Sequence, residues 1–156
     1  MLLGIDIGTS TLKGMLFDPE DGIVVGVEKL PVNVLYPTED KAEGDPREWW
    51  QAFCNVCLKL KKNHPAAFGK IAGVGFSSIF PAVLPLDREG NALHNALLYC
   101  DRRAMDEMRQ VCEVFGEETF ETVTGNRLTV GTCSLPGILW FRQHAPEVTE
   151  KTAVFG

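Results

Sequence analysis

Residues Met1 to Asp18 read MLLGIDIGTSTLKGMLFD, and the fold turns on how this stretch is understood. Leu2, Leu3, Ile5 and Ile7 surround a single carboxylate, Asp6; the run then opens into Gly8-Thr9-Ser10-Thr11 and becomes apolar again at Leu12, Met15, Leu16 and Phe17. The pattern predicts two short strands joined by a tight turn rich in hydroxyls. A carboxylate in an apolar strand is costly unless it is solvated, hydrogen-bonded or placed beside a cation, so Asp6 needs an explanation. Two readings are open. In one, the backbone N–H groups and hydroxyls of Gly8, Thr9, Ser10 and Thr11 surround phosphate oxygens, Asp6 holds the accompanying Mg²⁺ through water, and Lys13 adds a point charge. In the other, the hydroxyls satisfy an ordinary hairpin turn and Asp6 caps a neighbour.

Working outward, Asp18-Pro19-Glu20-Asp21-Gly22 is a turn and Ile23 to Val27 a third strand, so the sheet opens with an antiparallel meander. Pro31 to Gly44 is mixed and polar, a crossing segment. A helix follows: Asp45 can cap, Pro46 suits the first helical position, and Glu48 can reach back as in a capping box. Trp49, Trp50, Phe53, Val56, Cys57 and Leu60 give it one broad apolar face, and Lys59, Lys61 and Lys62 complement its C-terminal dipole. Ile71 to Phe76 reads as a buried strand, followed by Ser77-Ser78-Ile79-Phe80-Pro81 in the position where α/β proteins place ligand contacts. Val83 to Leu86 and Ala96 to Tyr99 are further strands separated by the turn Asp87 to Asn91. Helices are predicted from Asp101, as cap, to Phe115; from Glu117 to Val123; and after a Ser134 cap. The chain closes on a strand beginning at Thr152.

With 156 residues, 45% of them hydrophobic, the chain suits one domain of the α/β class with a substantial core. Its net charge of −6 argues against a surface built to neutralise nucleic acid. No run approaches the roughly 18 apolar residues of a membrane span and no secretory leader is visible, so no membrane partner is expected and cytoplasm is the default location. The five cysteines, Cys54, Cys57, Cys100, Cys112 and Cys133, are scattered through apolar segments and read as reduced core thiols. His64, His94 and His144 each sit where a solvated residue is expected.

Taken together, Gly4-Ile5-Asp6-Ile7-Gly8-Thr9-Ser10, Gly44-Asp45-Pro46-Arg47-Glu48-Trp49-Trp50, Gly73-Val74-Gly75-Phe76-Ser77, Leu97-Leu98-Tyr99-Cys100-Asp101-Arg102-Arg103 and Thr124-Gly125-Asn126 resemble the N-terminal part of the FGGY carbohydrate kinases. The resemblance spans essentially residues 1–156 and implies a ribonuclease-H-like lobe of the actin and hexokinase type, a mixed sheet flanked by helices, truncated before the C-terminal nucleotide-binding lobe. It implies ATP-dependent phosphoryl transfer to a sugar or polyol, with Asp6 on Mg²⁺ and Gly8, Thr9, Ser10, Thr11 and Lys13 toward the γ-phosphate. Xylulokinase-like members carry Gln-Met-His-Gly against the sugar where this chain has Ile79, Phe80, Pro81 and Ala82; Tyr99 matches an aromatic substrate wall. Asp101 follows either as a sugar contact or as a helix cap. The resemblance places the general-base aspartate beyond Gly156. A non-catalytic binding or regulatory module derived from such a kinase is the alternative, and exposed edges raise the prospect of a homodimer.

Overall fold

Alternation in the opening segment sends Leu3 and Ile5 to one face and Gly4 and Asp6 to the other, and a computed structural model of the chain shows what each face meets. The structure describes residues 1–131 and 133–156. In chain order its elements are β1 (Leu2–Ile7), β2 (Thr11–Asp18), β3 (Ile23–Pro31), β4 (Val34–Leu35), β5 (Glu43–Gly44), α1 (Pro46–Asn63), α2 (Pro65–Phe68), β6 (Gly73–Ser78), β7 (Ala82–Val83), β8 (Pro85–Leu86), β9 (Ala96–Leu98), α3 (Met105–Phe115), α4 (Glu117–Thr124), α5 (Ser134–His144), α6 (Pro146–Thr149) and β10 (Val154–Phe155). They form two units, one of Met1–Val34 and Asp45–Ile79, the other of Leu35–Gly44 and Phe80–Gly156.

The first unit is a four-stranded sheet in the order β3-β2-β1-β6, with β1, β2 and β3 antiparallel and β6 parallel to β1. The expected meander is present, and β3 runs on to Pro31, past the expected limit at Val27. Helix α1 lies against one face, where Leu3, Ile5, Leu12, Leu16, Ala52, Val56 and Leu60 make a buried core. Gly14 of β2 sits under this helix, and a Cβ there would collide with the Val56 side chain, so glycine is what allows the close approach. Asp45 caps α1, accepting from the Arg47 N–H at 2.8 Å. Glu48 does not reach back to the cap: its carboxylate accepts from the backbone and side-chain nitrogens of Asn33 at 2.9 and 2.5 Å, tying the end of the meander to the helix. His64 is the C-cap of α1 and its half-buried ring packs over Gly26 of β3, a contact beyond the solvated role expected of it.

In the second unit β9 pairs with β5 and β7, and β10 pairs with β8. The segment expected as one strand from Val83 to Leu86 is two, in different sheets; Leu84 between them exchanges hydrogen bonds of 2.9 Å with the backbone of Gly156. Val83, Leu97, Phe141 and Ala145 form one apolar cluster and Val111, Phe120 and Leu128 another. Helix α3 starts at Met105 with Ala104 before it, so Asp101 is not its cap, and α5 includes Ser134 as its first residue. His94 packs edge-on against Phe141, 5.1 Å between ring centres, and His144 stacks on Trp140 at 5.4 Å. Both histidines therefore have ring partners that the sequence did not disclose. The five cysteines are free thiols, and burial pushes Cys57 above the usual thiol range. No helix among the described residues is long and apolar enough to cross a membrane.

Candidate functional site

The β1–β2 ladder puts Asp6 opposite Lys13, and the parallel β1–β6 ladder puts Asp6 beside Ser77. Strand period two sends all three side chains to the face away from α1. Lys13 Nζ lies 3.3 Å from Asp6 Oδ2, and both side chains are about half exposed, which answers the question raised by a carboxylate in an apolar strand. They border an open cleft of about 460 Å³ whose floor includes Gly4 and Gly75 and whose flank includes Met15 and Val27. Two glycines on adjacent strands leave backbone exposed beside the ion pair, so a bulky anion can approach closely.

The hairpin turn closes at the same end of these strands. Gly8 N–H donates to the Thr11 carbonyl at 3.0 Å, leaving Thr9 and Ser10 as a two-residue loop, and the Ser10 carbonyl accepts from Val32 N–H at 3.1 Å. A Cβ on Gly8 would press to 2.9 Å from the Thr11 oxygen, so the turn is tight at that point. Every non-glycine residue described has negative φ, so the loop is neither of the mirror-image hairpin turns and the hydroxyls of Thr9 and Ser10 are set by ordinary backbone. Among the described residues no group of three ligating side chains gathers as a metal site. A cation beside Asp6 would thus take one protein carboxylate and complete its shell with water and phosphate, the manner that suits Mg²⁺.

Ile79, the next expected contact, follows β6 in the first unit and is half-buried, whereas Phe80, Pro81, Tyr99 and Asp101 belong to the second. There the antiparallel pairing of Ala82 with Leu98 brings Pro81 and Tyr99 to the same end of the β7–β9 ladder. Phe80 is 83% exposed and Tyr99 46%. Asp101 is different: it is 4% exposed and its oxygens are occupied. Oδ2 accepts from the Ala42 N–H at 2.7 Å and from Arg103 Nη2 at 2.8 Å, and Oδ1 accepts from the Arg103 backbone N–H and Nε at 3.0 and 2.9 Å. Asp101 borders, with Pro81, Leu98, Val130 and Gly131, a void of only about 30 Å³, room for a water and no sugar. Its geometry is that of a residue organising the turn beneath Tyr99.

The partners of that turn lie far from it in the chain. Arg103 also reaches Glu43 at 2.6 Å, Asn95 donates to Glu43 at 2.9 Å, and the guanidinium lies 4.8 Å over the Trp140 ring. Burial would raise the Glu43 carboxyl, but hydrogen bonds from Arg103 and Asn95 outweigh it and hold the group below its usual range. Burial works against the Arg103 cation in turn, and Asp101 and Glu43 keep it charged. A third buried carboxylate, Glu107, has Oε1 2.9 Å from His144 Nε2 and, among the described residues, no hydrogen-bond partner for Oε2. The only sequence signals for either group were polar residues at core positions.

This arrangement of hairpin, capped helix and parallel fourth strand is shared with known proteins. A model of the FGGY family of carbohydrate kinases, N-terminal domain, matches residues 1–156. The chain belongs to the FGGY family of carbohydrate kinases. It is 36% identical over 147 residues to the L-xylulose/3-keto-L-gulonate kinase of Escherichia coli, covering 93% of this chain and 29% of that one. The crystal structure of a xylulose kinase from Brucella ovis superposes with a TM-score of 0.90 at 28% identity, over 99% of this chain and 31% of the other. The glycerol kinase of Plasmodium falciparum, solved with ADP, shares the fold at a TM-score of 0.86 and 24% identity, covering 99% of this chain and 32% of that chain. FGGY membership makes the sheet and helices of the first unit part of a ribonuclease-H-like lobe. The chain spans about 30% of the length of the curated relatives it matches.

Proposed function

We propose that the full-length protein transfers the γ-phosphate of ATP to a hydroxyl of a sugar or polyol, and that residues 1–156 supply its phosphate-binding edge and part of its sugar wall. The observation that carries this reading is the Asp6–Lys13 pair beside the Gly8–Thr11 turn, on an open glycine-floored face of an FGGY lobe. Phosphoryl transfer depends chiefly on positioning and on neutralising charge, which these groups can provide. Lys13 places a flexible ammonium where it can pair with a phosphate oxygen in place of Asp6, and the N–H groups and hydroxyls of Thr9 and Ser10 can donate hydrogen bonds to the remaining oxygens. Mg²⁺, held through water by Asp6, would neutralise charge on the phosphates. The aspartate that takes the proton from the sugar hydroxyl lies, on this reading, beyond Gly156.

For the acceptor, Phe80, Pro81 and Tyr99 at one end of the β7–β9 ladder offer an apolar and aromatic wall suited to the C–H face of a sugar, with Ile79 preceding them in sequence. Asp101 contributes by holding that turn. Ketose kinases among the relatives favour a ketose-like acceptor, and the absence of hydrogen-bonding side chains at Ile79 to Ala82 favours a mode of recognition other than the Gln-Met-His-Gly loop. The relatives are kinases, which favours the enzymatic reading over a non-catalytic module. A cytoplasmic location follows from a substrate phosphorylated at the expense of ATP. The test is Asp6→Asn in the full-length protein: turnover at limiting Mg²⁺ falls about a hundredfold with the circular dichroism spectrum unchanged. Unchanged turnover under those conditions removes Asp6 from the site.

A further inference from the structure

We propose that Arg102 and Gly131 are positioning residues that clamp the backbone of Tyr99, so that the aromatic wall meets the sugar from a fixed mount. This rests on the reading of Tyr99 as part of that wall. Arg102 spends its charge on backbone carbonyls. Its Nη1 lies 3.0 Å from the Tyr99 oxygen, 3.2 Å from the Val130 oxygen and 3.3 Å from the Asp101 oxygen, and among the described residues it has no carboxylate as a hydrogen-bond partner. Its backbone N–H donates to the Asp40 carbonyl at 2.7 Å, and Asp101 N–H donates to Leu98 at 2.9 Å. One guanidinium therefore ties the turn after β9 to the Val130–Gly131 segment, about thirty positions later in the chain.

Gly131 closes the clamp from the other side. It adopts φ +86°, and a Cβ built on it would collide with the Tyr99 carbonyl and lie 2.8 Å from Arg102 Nη1. Only glycine meets both conditions. The Tyr99 carbonyl is thus pinned between a cation and a glycine backbone, and the neighbouring Asp101 carboxylate is locked by Ala42 and Arg103. The Tyr99 ring presents the opposite picture. It is 46% exposed and, among the described residues, its hydroxyl makes no hydrogen bond and its ring no aromatic contact. A stiff mount under an unengaged ring is how a fold prepares a stacking surface at low entropic cost to binding, because the backbone does not have to be ordered by the ligand.

The test combines a spectroscopic and a kinetic readout. Residues 1–156 hold two tyrosines, Tyr36 and Tyr99, and in the full-length protein labelled with 3-fluorotyrosine their ¹⁹F signals are assigned by their loss in Tyr36→Phe and Tyr99→Phe. Arg102→Ala should broaden or split the Tyr99 signal, leaving that of Tyr36 unchanged, and Arg102→Lys should restore it in part. In the full-length kinase, Arg102→Ala should raise KM for the sugar about tenfold with KM for ATP within twofold. Tyr99→Ala should do the same, and the double variant should be no worse than Tyr99→Ala. Should Arg102→Ala fail to fold, Arg102→Lys carries the same test with a smaller shift. A silent Arg102 variant in a background where Tyr99→Ala raises the sugar KM overturns the clamp alone, as do additive effects in the double variant. A silent Tyr99→Ala overturns the wall reading and the clamp with it.

Discussion

Asp101, Arg103 and Glu43 show how one residue's meaning depends on partners far along the chain. From the sequence Asp101 is a helix cap or a sugar contact; in the structure it is one arm of a buried network whose other arm, Glu43, is 60 residues from Arg103. A group whose folded-state pKa is depressed stabilises the protein above its unfolded-state value and loses that contribution as pH falls through the folded one. Glu43 is such a group, lowered from 4.5, with burial opposing the shift and the hydrogen bonds from Arg103 and Asn95 prevailing. Glu43→Gln should therefore cost about 2 kcal/mol at neutral pH. Its disadvantage should shrink as pH falls below about 4.5, where the unfolded chain takes up the proton first, and should vanish once pH has fallen through the lower folded-state value. Urea unfolding of both proteins between pH 3 and 7 checks this, and a constant difference across that range would exclude Glu43 as the titrating group. Glu107 is the contrasting residue, 1% exposed and, among the described residues, with a single partner in His144 and one oxygen unbonded; it holds α3 to α5 through a contact that no local pattern announces.

Elements were legible where their causes are local. The β1–β2 hairpin follows from strand alternation and a two-residue turn, and with it comes the Asp6–Lys13 pairing, because register fixes which side chains share a face. Helix α1 was readable from its Asp-Pro start and its apolar spacing. What was not readable depends on tertiary partners: the division of residues 82–86 between two sheets, set by pairing with β9 and β10, and the start of α3 at Met105, displaced because Asp101 is bound to Ala42 and Arg103. Glycine in mid-strand belongs to the same class. Gly14 looks like a weakness in β2 until α1 is placed above it, with Val56 and Leu60 where its Cβ would be. Gly14→Val should overpack this interface and cost about 1–3 kcal/mol, without altering the Asp6–Lys13 face on the other side of the sheet. The check is chemical denaturation. Equal stability would mean that α1 can shift outward freely, contrary to a core in which Val56 and Leu60 are fully buried.

At the scale of the molecule, the outstanding feature of a chain that spans about 30% of its relatives' length is the open side of its first sheet. β6 is an edge strand, GVGFSS, with no charge and no proline, and its Phe76 is 64% exposed. Phe76 continues into an aromatic row, with Phe53 at 6.0 Å and Trp50, itself 67% exposed, 5.4 Å from Phe53. Edges of this kind are usually blunted by charge, proline or a covering element, and this one carries none of the first two. Two copies pairing antiparallel about Gly75 would set Val74 of each opposite Phe76 of the other, on the face that also holds Phe53 and Trp50, a favourable β-branched and aromatic pairing. The 156-residue polypeptide is accordingly expected to self-associate as its concentration rises through the micromolar range, in spite of its net charge of −6. Phe76→Lys should abolish that association with little loss of stability, since the side chain it replaces is largely exposed. Sedimentation velocity over a concentration series distinguishes the outcomes. A parent chain that stays monomeric at hundreds of micromolar, or a lysine variant that associates as strongly, would show that this edge is not the contact.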